Sequence, residues 1–284
     1  MDQRTEPSSL LNSRTVVPVL GAFSLAETVL SHGWYQVPPF SWDRHSGVLT
    51  RCDPEGLLSA SQGSEGTLEV LHDARDPGAP ERLAVLLNLP FDLTEFHDLC
   101  RNHPTLSWVP QRGAGRFLRG RDAWEDASKG ICGTNVGWSQ AVRSMKRLAE
   151  AGTNGCWPSP EELLERGESW IRDHGRVGYR ARYLSALAAG FVAQEFSRDE
   201  ASKSGFQAMP GIGPATARYL AGLRGDWREI AYDSSIAWLL REAHGLDRPS
   251  AEDADRLYLA FGVYRGLACL LDLHECHRRK RLES

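Results

Sequence analysis

The stretch FQAMPGIGPATARYLAGL, residues 206–223, constrains this chain more than any other. It predicts a helix, a Gly-rich hairpin and a second helix, a unit spanning about 205–224. Gly211 and Gly213 tolerate positive φ and put no Cβ in the way of an approaching backbone. Amides at Gly211, Gly213 and Ala215, with the N-terminus of the second helix, form a concavity suited to a phosphate. Eighteen residues after Ala215 comes Asp233, in AYDSSIAWLL. One segment therefore offers an anion grip and a carboxylate at a set distance from it.

Composition limits what such a unit can serve. The 284 residues are 41% hydrophobic and 25% charged, as in a soluble globular chain of one large or two smaller packed domains. The formal net charge of −4 excludes a polycation. Contact with a phosphodiester must come from backbone amides or from local basic clusters. Two such clusters are Arg172, Arg176, Arg180 and Arg182, and the tail Arg278, Arg279, Lys280 and Arg281, which also reads as a solvated, frayed terminus. Six scattered cysteines and no secretory signal read as reduced thiols in a cytoplasmic protein. No apolar run reaches the ~18–20 residues that a membrane span needs.

The expected class is α+β, mostly α. Residues 1–15 are polar and expected to be loose. Residues 16–90 have a strand-like texture, with FSLAETVL, GVLTR, TLEVLHDA and RLAVLLNL separated by Gly, Pro, Ser and Asp, and predict an antiparallel β domain. From 91 to 284 the periodicity is helical. A helix is expected to start near Asp92 or Thr94, and Ser159-Pro160-Glu161 marks another start.

The second half resembles the helix-hairpin-helix DNA glycosylase superfamily, through MPGIGPATA followed by Asp233. GYRARYLSALA, ICGTN and LNLPFDLTEFHDLC narrow the resemblance to the 8-oxoguanine glycosylase branch, with similarity to bacterial 3-methyladenine glycosylase II. The resemblance implies an N-terminal half-TATA-binding-protein-like sheet and two helical lobes with double-stranded DNA in the cleft between them. It also implies a monomer that flips a modified base out of the duplex. Asp233 becomes the catalytic candidate, stabilising the cationic sugar and activating water; it can equally cap the helix that Ser234 opens. Ala215 stands where lyase-active relatives carry a lysine, so a monofunctional enzyme leaving an abasic site is expected. A non-catalytic DNA-binding module is the competing class.

Asn135, Tyr179 and Arg180 match family residues that fill the hole left by the flipped base. Their bland alternatives are a cap, a core aromatic and a surface charge. Gln140 replaces a branch arginine. In the last long helix Gly266 and Leu270 stand where the branch has a base-reading Gln and a stacking Phe. That substitution argues for an alkylated, bulky or hypermodified base, such as the substituted cytosines of some phage genomes, over 8-oxoguanine. Tyr264 and Arg265 are candidates for new polar contacts to the base or for anchoring the helix. Gly33, Trp34 and Trp138 are further pocket candidates, with Phe40 and Trp42 nearby in sequence. No cofactor is required. The resemblance allows a monovalent cation under the hairpin. Cys269 and Cys276 have the spacing that opens an iron–sulfur loop in some glycosylases, but without two following cysteines they predict separate thiols.

Overall fold

The structure, a computed structural model, describes residues 11–64 and 66–283. Its first half is built on a five-stranded antiparallel sheet: β1 Ser13–Pro18, β2 Phe40–Asp43, β3 Val48–Asp53, β4 Gly56–Gln62 and β5 Thr67–His72, in the spatial order β1-β5-β4-β3-β2. β2 to β5 form a meander, and β1 returns to pair Ser13 with His72 and Pro18 with Thr67. Residues 13–15, expected to be loose, therefore lie in a strand. Residues 1–10 lie outside the described residues. Alternation sets the sheet's inner face: Leu49, Leu58, Leu68 and Val70 are all buried.

Two segments that read as strands are helices. FSLAETVL contains α1, Leu25–Val29, whose N-cap Ser24 accepts the Glu27 amide at 3.2 Å. RLAVLLNL falls largely in α2, Ala79–Leu86. Ala79, Leu83 and Leu86 are buried at helical spacing and share one core with Leu25, Val29 and the sheet's inner residues. A short continuous apolar run does not separate a strand from a buried helix; packing on an existing sheet face decides it.

The remaining helices are α3 Thr94–Cys100, α4 Trp108–Arg112, α5 Ala123–Gly133, α6 Trp138–Leu148, α7 Pro160–Asp173, α8 Ala181–Val192, α9 Lys203–Ala208, α10 Pro214–Leu223, α11 Ser234–Glu242, α12 Ala251–Leu257 and α13 Arg265–Glu283. They enclose a second, larger core. The start at Ser159 carries a capping box with Glu162. The basic tail continues α13, with Arg278 and Arg279 bonded to Glu275 at 2.6 and 3.0 Å and Lys280 to Glu242. Among the described residues, no helix is long and apolar enough to cross a membrane.

α5 is the hub between sheet and helices, and it buries charge. Glu125 accepts two bonds from Arg51 of β3, at 3.1 and 2.7 Å, and one from Lys129 at 2.7 Å; Arg51 also bonds Asp53 at 2.8 Å. All four side chains are at most 4% exposed. Burial alone would raise the Glu125 carboxyl, but the Arg51 and Lys129 charges win and hold it far below the usual range. Next to it, Asp126 bonds the Arg224 guanidinium at 2.9 Å and accepts the Gly120 amide at 2.7 Å.

Candidate active site

α9 and α10 flank the hairpin Met209–Gly213. Gly211 has φ 78°, and a Cβ there would meet the Tyr183 side chain at 2.7 Å, so the turn accepts only glycine. Gly213 caps α10 and Pro214 occupies its first turn. The first amides of a helix have no partner within it, which leaves the α10 end able to receive an anion.

α10 then runs along a cavity of about 760 Å³. Gly213, Ala215, Thr216 and Tyr219 line one side of it. Asp233 lines it too, exposed at the N-terminus of α11. Asp233 Oδ1 accepts the amides of Ser235 at 2.8 Å and Ile236 at 3.1 Å. The cap aligns the carboxylate, while Oδ2 is not engaged by those two bonds. The helix cap therefore leaves one carboxylate oxygen of Asp233 uncommitted by these bonds.

Of the expected pocket residues, Gly33, Trp34, Trp138, Gly266 and Leu270 line this cavity. Trp138 is 39% exposed and lies directly on Gly33, where a Cβ would come within 2.1 Å of the indole. Gly266 is small for a different reason from the one read in sequence. Its amide bonds Trp227 O at 2.9 Å, and a Cβ would strike Glu229 O at 2.5 Å. Backbone crowding at the start of α13, rather than space for a base, demands the glycine.

Tyr264 and Arg265 do not line the cavity. Tyr264 bonds Glu95 at 3.1 Å, packs 5.5 Å from the Phe96 ring and faces a separate cleft. Arg265 bonds Gly262 O at 3.1 Å and lies 3.8 Å from Asp255, anchoring its helix. Phe40 and Trp42 belong to the sheet's core and are also outside the cavity.

Asn135 sits at the cavity rim with φ 49°, and its side-chain amide donates to Tyr179 Oη at 3.3 Å. Tyr179 is half exposed beside it. Arg180 is buried at 9%, and its guanidinium donates to the carbonyls of Thr134 and Asn135, at 2.7 and 2.9 Å, and of Val177 at 3.1 Å. In this arrangement Arg180 shapes the Asn135 loop through its carbonyl contacts.

Sequence reasoning missed the polar wall formed by His32, Lys129 and Tyr219. His32 Nε2 bonds Leu118 O, a group that can only accept, so Nε2 carries the proton. Burial lowers the His32 pKa to about 4, with Lys129 adding to the effect, and the ring is neutral. Its Nδ1 must then accept the proton of Tyr219 Oη, 2.9 Å away. The Tyr219 hydroxyl donates to His32 and keeps its lone pairs for the cavity, and burial pushes its own pKa up. Tyr219 follows Ala215 by one helical turn, so helical spacing alone places it on the hairpin helix's cavity face. Lys129 is held by Glu125 and lies 5.3 Å from the Trp34 ring centroid and 5.0 Å from that of Trp157. At the rim, Glu229 pairs with Arg218 at 2.7 Å and with Lys203. Among the described residues no cluster of His, Cys, Asp and Glu is arranged to hold a metal ion.

No family model and no curated protein matches this sequence. Solved structures do. MBOgg1 in complex with a low-affinity DNA ligand is 18% identical with a TM-score of 0.78, covering 95% of this chain and 97% of its own. The 3-methyladenine DNA glycosylase of Archaeoglobus fulgidus is 17% identical with a TM-score of 0.74, covering 92% and 98%. The apo 8-oxoguanine glycosylase/lyase of Clostridium acetobutylicum is 15% identical with a TM-score of 0.73, covering 93% and 96%. At these identities the likeness establishes the fold: the chain has the architecture of the helix-hairpin-helix DNA glycosylases, sheet included.

Proposed function

We propose that the protein is a monofunctional DNA glycosylase acting in base excision. The observation that carries this reading is the position of Asp233: it lines the same cavity as Gly213, Ala215, Thr216 and Tyr219 of the hairpin helix and its cap. The hairpin amides grip a backbone phosphate and hold the strand. The target nucleotide turns out of the duplex, at a cost of a few kcal/mol, and its base enters the cavity. Water attacks C1′, the glycosidic bond breaks, and the base leaves with the bonding electrons. Asp233 orients the water, takes up its proton and offsets the positive charge that develops on the sugar. Asn135 and Tyr179 occupy the vacated space in the duplex.

The absence of an amine at Ala215 supports hydrolysis over lyase chemistry. Lys129, which does line the cavity, is ion-paired with Glu125 and buried under Trp34, and Lys203 is paired with Glu229. Neither is a free nucleophile. Borohydride is accordingly expected to trap no side-chain adduct with DNA; efficient trapping would overturn the monofunctional assignment.

The substrate is an alkylated, bulky or hypermodified base. A cavity of about 760 Å³ lies within the ~300–1,000 Å³ of pockets that take drug-sized ligands, more than a bare base requires. Modified phage DNA, and with it antiviral defence, is consistent with that size. The test incubates the protein with duplexes carrying varied lesions and with genomic DNAs of different base modification. Alkali then cleaves abasic sites, and mass spectrometry identifies the freed base. Binding without abasic sites on any DNA would make the protein a non-catalytic module.

A further inference from the structure

Away from the cavity, two thiols that the reaction does not use face each other across the seam between sheet and helices. Cys52 Sγ of β3 lies 3.3 Å from Cys156 Sγ, which belongs to the connection between α6 and α7. Their neighbours hold the two thiols close together. Cys52 sits between Arg51 and Asp53, both fixed by buried ion pairs. Cys156 closes a tight turn in which its amide bonds Thr153 O at 3.1 Å. Gly152 starts that turn, and a Cβ there would meet Cys156 O at 2.3 Å. The Cys52 thiol also lies 3.0 Å from Asn154 O, so the turn is docked on the strand. Cys52 is partly exposed and Cys156 buried.

We propose that Cys52 and Cys156 form an oxidative cross-link site, Cys52 being the sulfur that a peroxide or a low-molecular-weight disulfide attacks first and Cys156 the one that resolves it. With peroxide, the Cys52 thiolate takes one oxygen to become a sulfenic acid and releases hydroxide. The Cys156 thiol then gives its proton to the released hydroxide, attacks that sulfur and expels a second hydroxide, so that two thiols and one peroxide give one disulfide and two waters. The sulfurs must approach from 3.3 Å to a bond of ~2.05 Å, a movement that side-chain rotation and a small shift of the turn supply. The hydrogen bond from Cys156 lowers the Cys52 pKa, which favours the attacking thiolate. Cys156 is itself buried with its pKa raised by the hydrogen bond to Cys52 and by burial, so it is geometry that singles out this pair. Cys100, Cys132 and Cys269 are buried with raised pKa and Cys276 lies on α13, and among the described residues only Cys52 and Cys156 bring two sulfurs into contact. In a reducing compartment such a pair is a sensor that closes under oxidant and reopens with thiol. Closure ties β3 to a residue 104 positions away, across the seam that holds Arg51 and Glu125 together.

The experiment uses the full chain, treated with hydrogen peroxide or with glutathione disulfide and compared with reduced protein. Expected are the loss of two of the six thiols, a Cys52–Cys156 peptide in a non-reducing digest, and a Tm rise of roughly 5–10 °C that dithiothreitol reverses. C156S should abolish the cross-link and leave a dimedone-reactive sulfenic acid at Cys52; C52S should leave both thiol loss and Tm unchanged by oxidant. C52A, which keeps the small volume of the site, guards against a serine-specific folding defect. The proposal is overturned if six thiols survive an oxidant dose that consumes free glutathione. It is equally overturned if the cross-link maps to another pair, including Cys276 between two chains.

Discussion

Asp233→Asn separates the helix cap that the structure shows from the catalytic role proposed for the same carboxylate. Oδ1 accepts two amides at the start of α11, and an asparagine carbonyl can accept the same pair. Asn and Asp rank equally as N-caps. What is lost in folding is the charge at a helix N-terminus, ~0.3–1 kcal/mol for an exposed site. What is lost in catalysis is the anion facing the developing cation and the acceptor for the water's proton, about 10²-fold or more in rate, or at least ~2.7 kcal/mol of barrier. The two losses are thus predicted to differ severalfold in size. Single-turnover alkali cleavage on a duplex that the wild-type protein processes gives the rate. Urea unfolding gives the stability, and a gel-shift titration gives the affinity for DNA. The expected variant unfolds within about 1 kcal/mol of wild type, binds DNA as before and releases base at least a hundredfold more slowly. Retained turnover would refute the chemical role, and a rate loss that merely tracks a large loss of stability would reduce Asp233 to a cap.

Two glycines of the same cavity should behave oppositely. Gly266→Ala drives a Cβ into backbone carbonyls and is expected to cost about 1–3 kcal/mol by urea titration, whereas Gly33→Ala meets the edge of the indole of the partly exposed Trp138, a side chain that can swing away, and should cost less than 1 kcal/mol while displacing that indole, read as a change in Trp fluorescence. Glu125→Ala leaves Arg51 and Lys129 buried without their shared partner and should lose about 3–5 kcal/mol, with the melting temperature as a second readout. His32 supplies an acid limit: its folded pKa of about 4 lies below the usual 6.5, so the unfolded chain binds the extra proton and stability falls as pH drops from 6.5 to 4, by about 3 kcal/mol in all. His32→Gln should flatten that part of the pH–stability curve; an unchanged slope would mean that the ring is not held neutral.

What sequence could show was set by the reach of each signal. The hairpin, the caps at Ser159 and Asp233, and the missing amine at Ala215 are local patterns, and they carry the fold and the proposed chemistry. The segments of α1 and α2 read as strands because their apolar runs are too short to show a period, and only the sheet beneath them selects helix. The size of Gly266 was legible and its cause was not, since Trp227 and Glu229 press on it from another part of the chain. Tyr219 and His32 are 187 residues apart, and Arg51 and Glu125 are 74 apart, so no window along the chain could join them. Arg180 was legible as a family position, yet its buried carbonyl contacts depend on how the 134–135 loop folds back.

The charged seam also limits how this architecture can be cut and recombined. Glu125 and Lys129 stand on the helical side, but the guanidinium that completes their neutralisation arrives from β3. A helical half produced alone would leave Glu125 with Lys129 but without Arg51, at a face the sheet had covered, and Trp34, the aromatic shelf of the cavity, would leave with the removed segment. Shuffling the sheet between relatives therefore requires exchanging Arg51, Glu125 and Lys129 as one set. The small sheet is part of the fold's smallest workable unit, not an appendage to it.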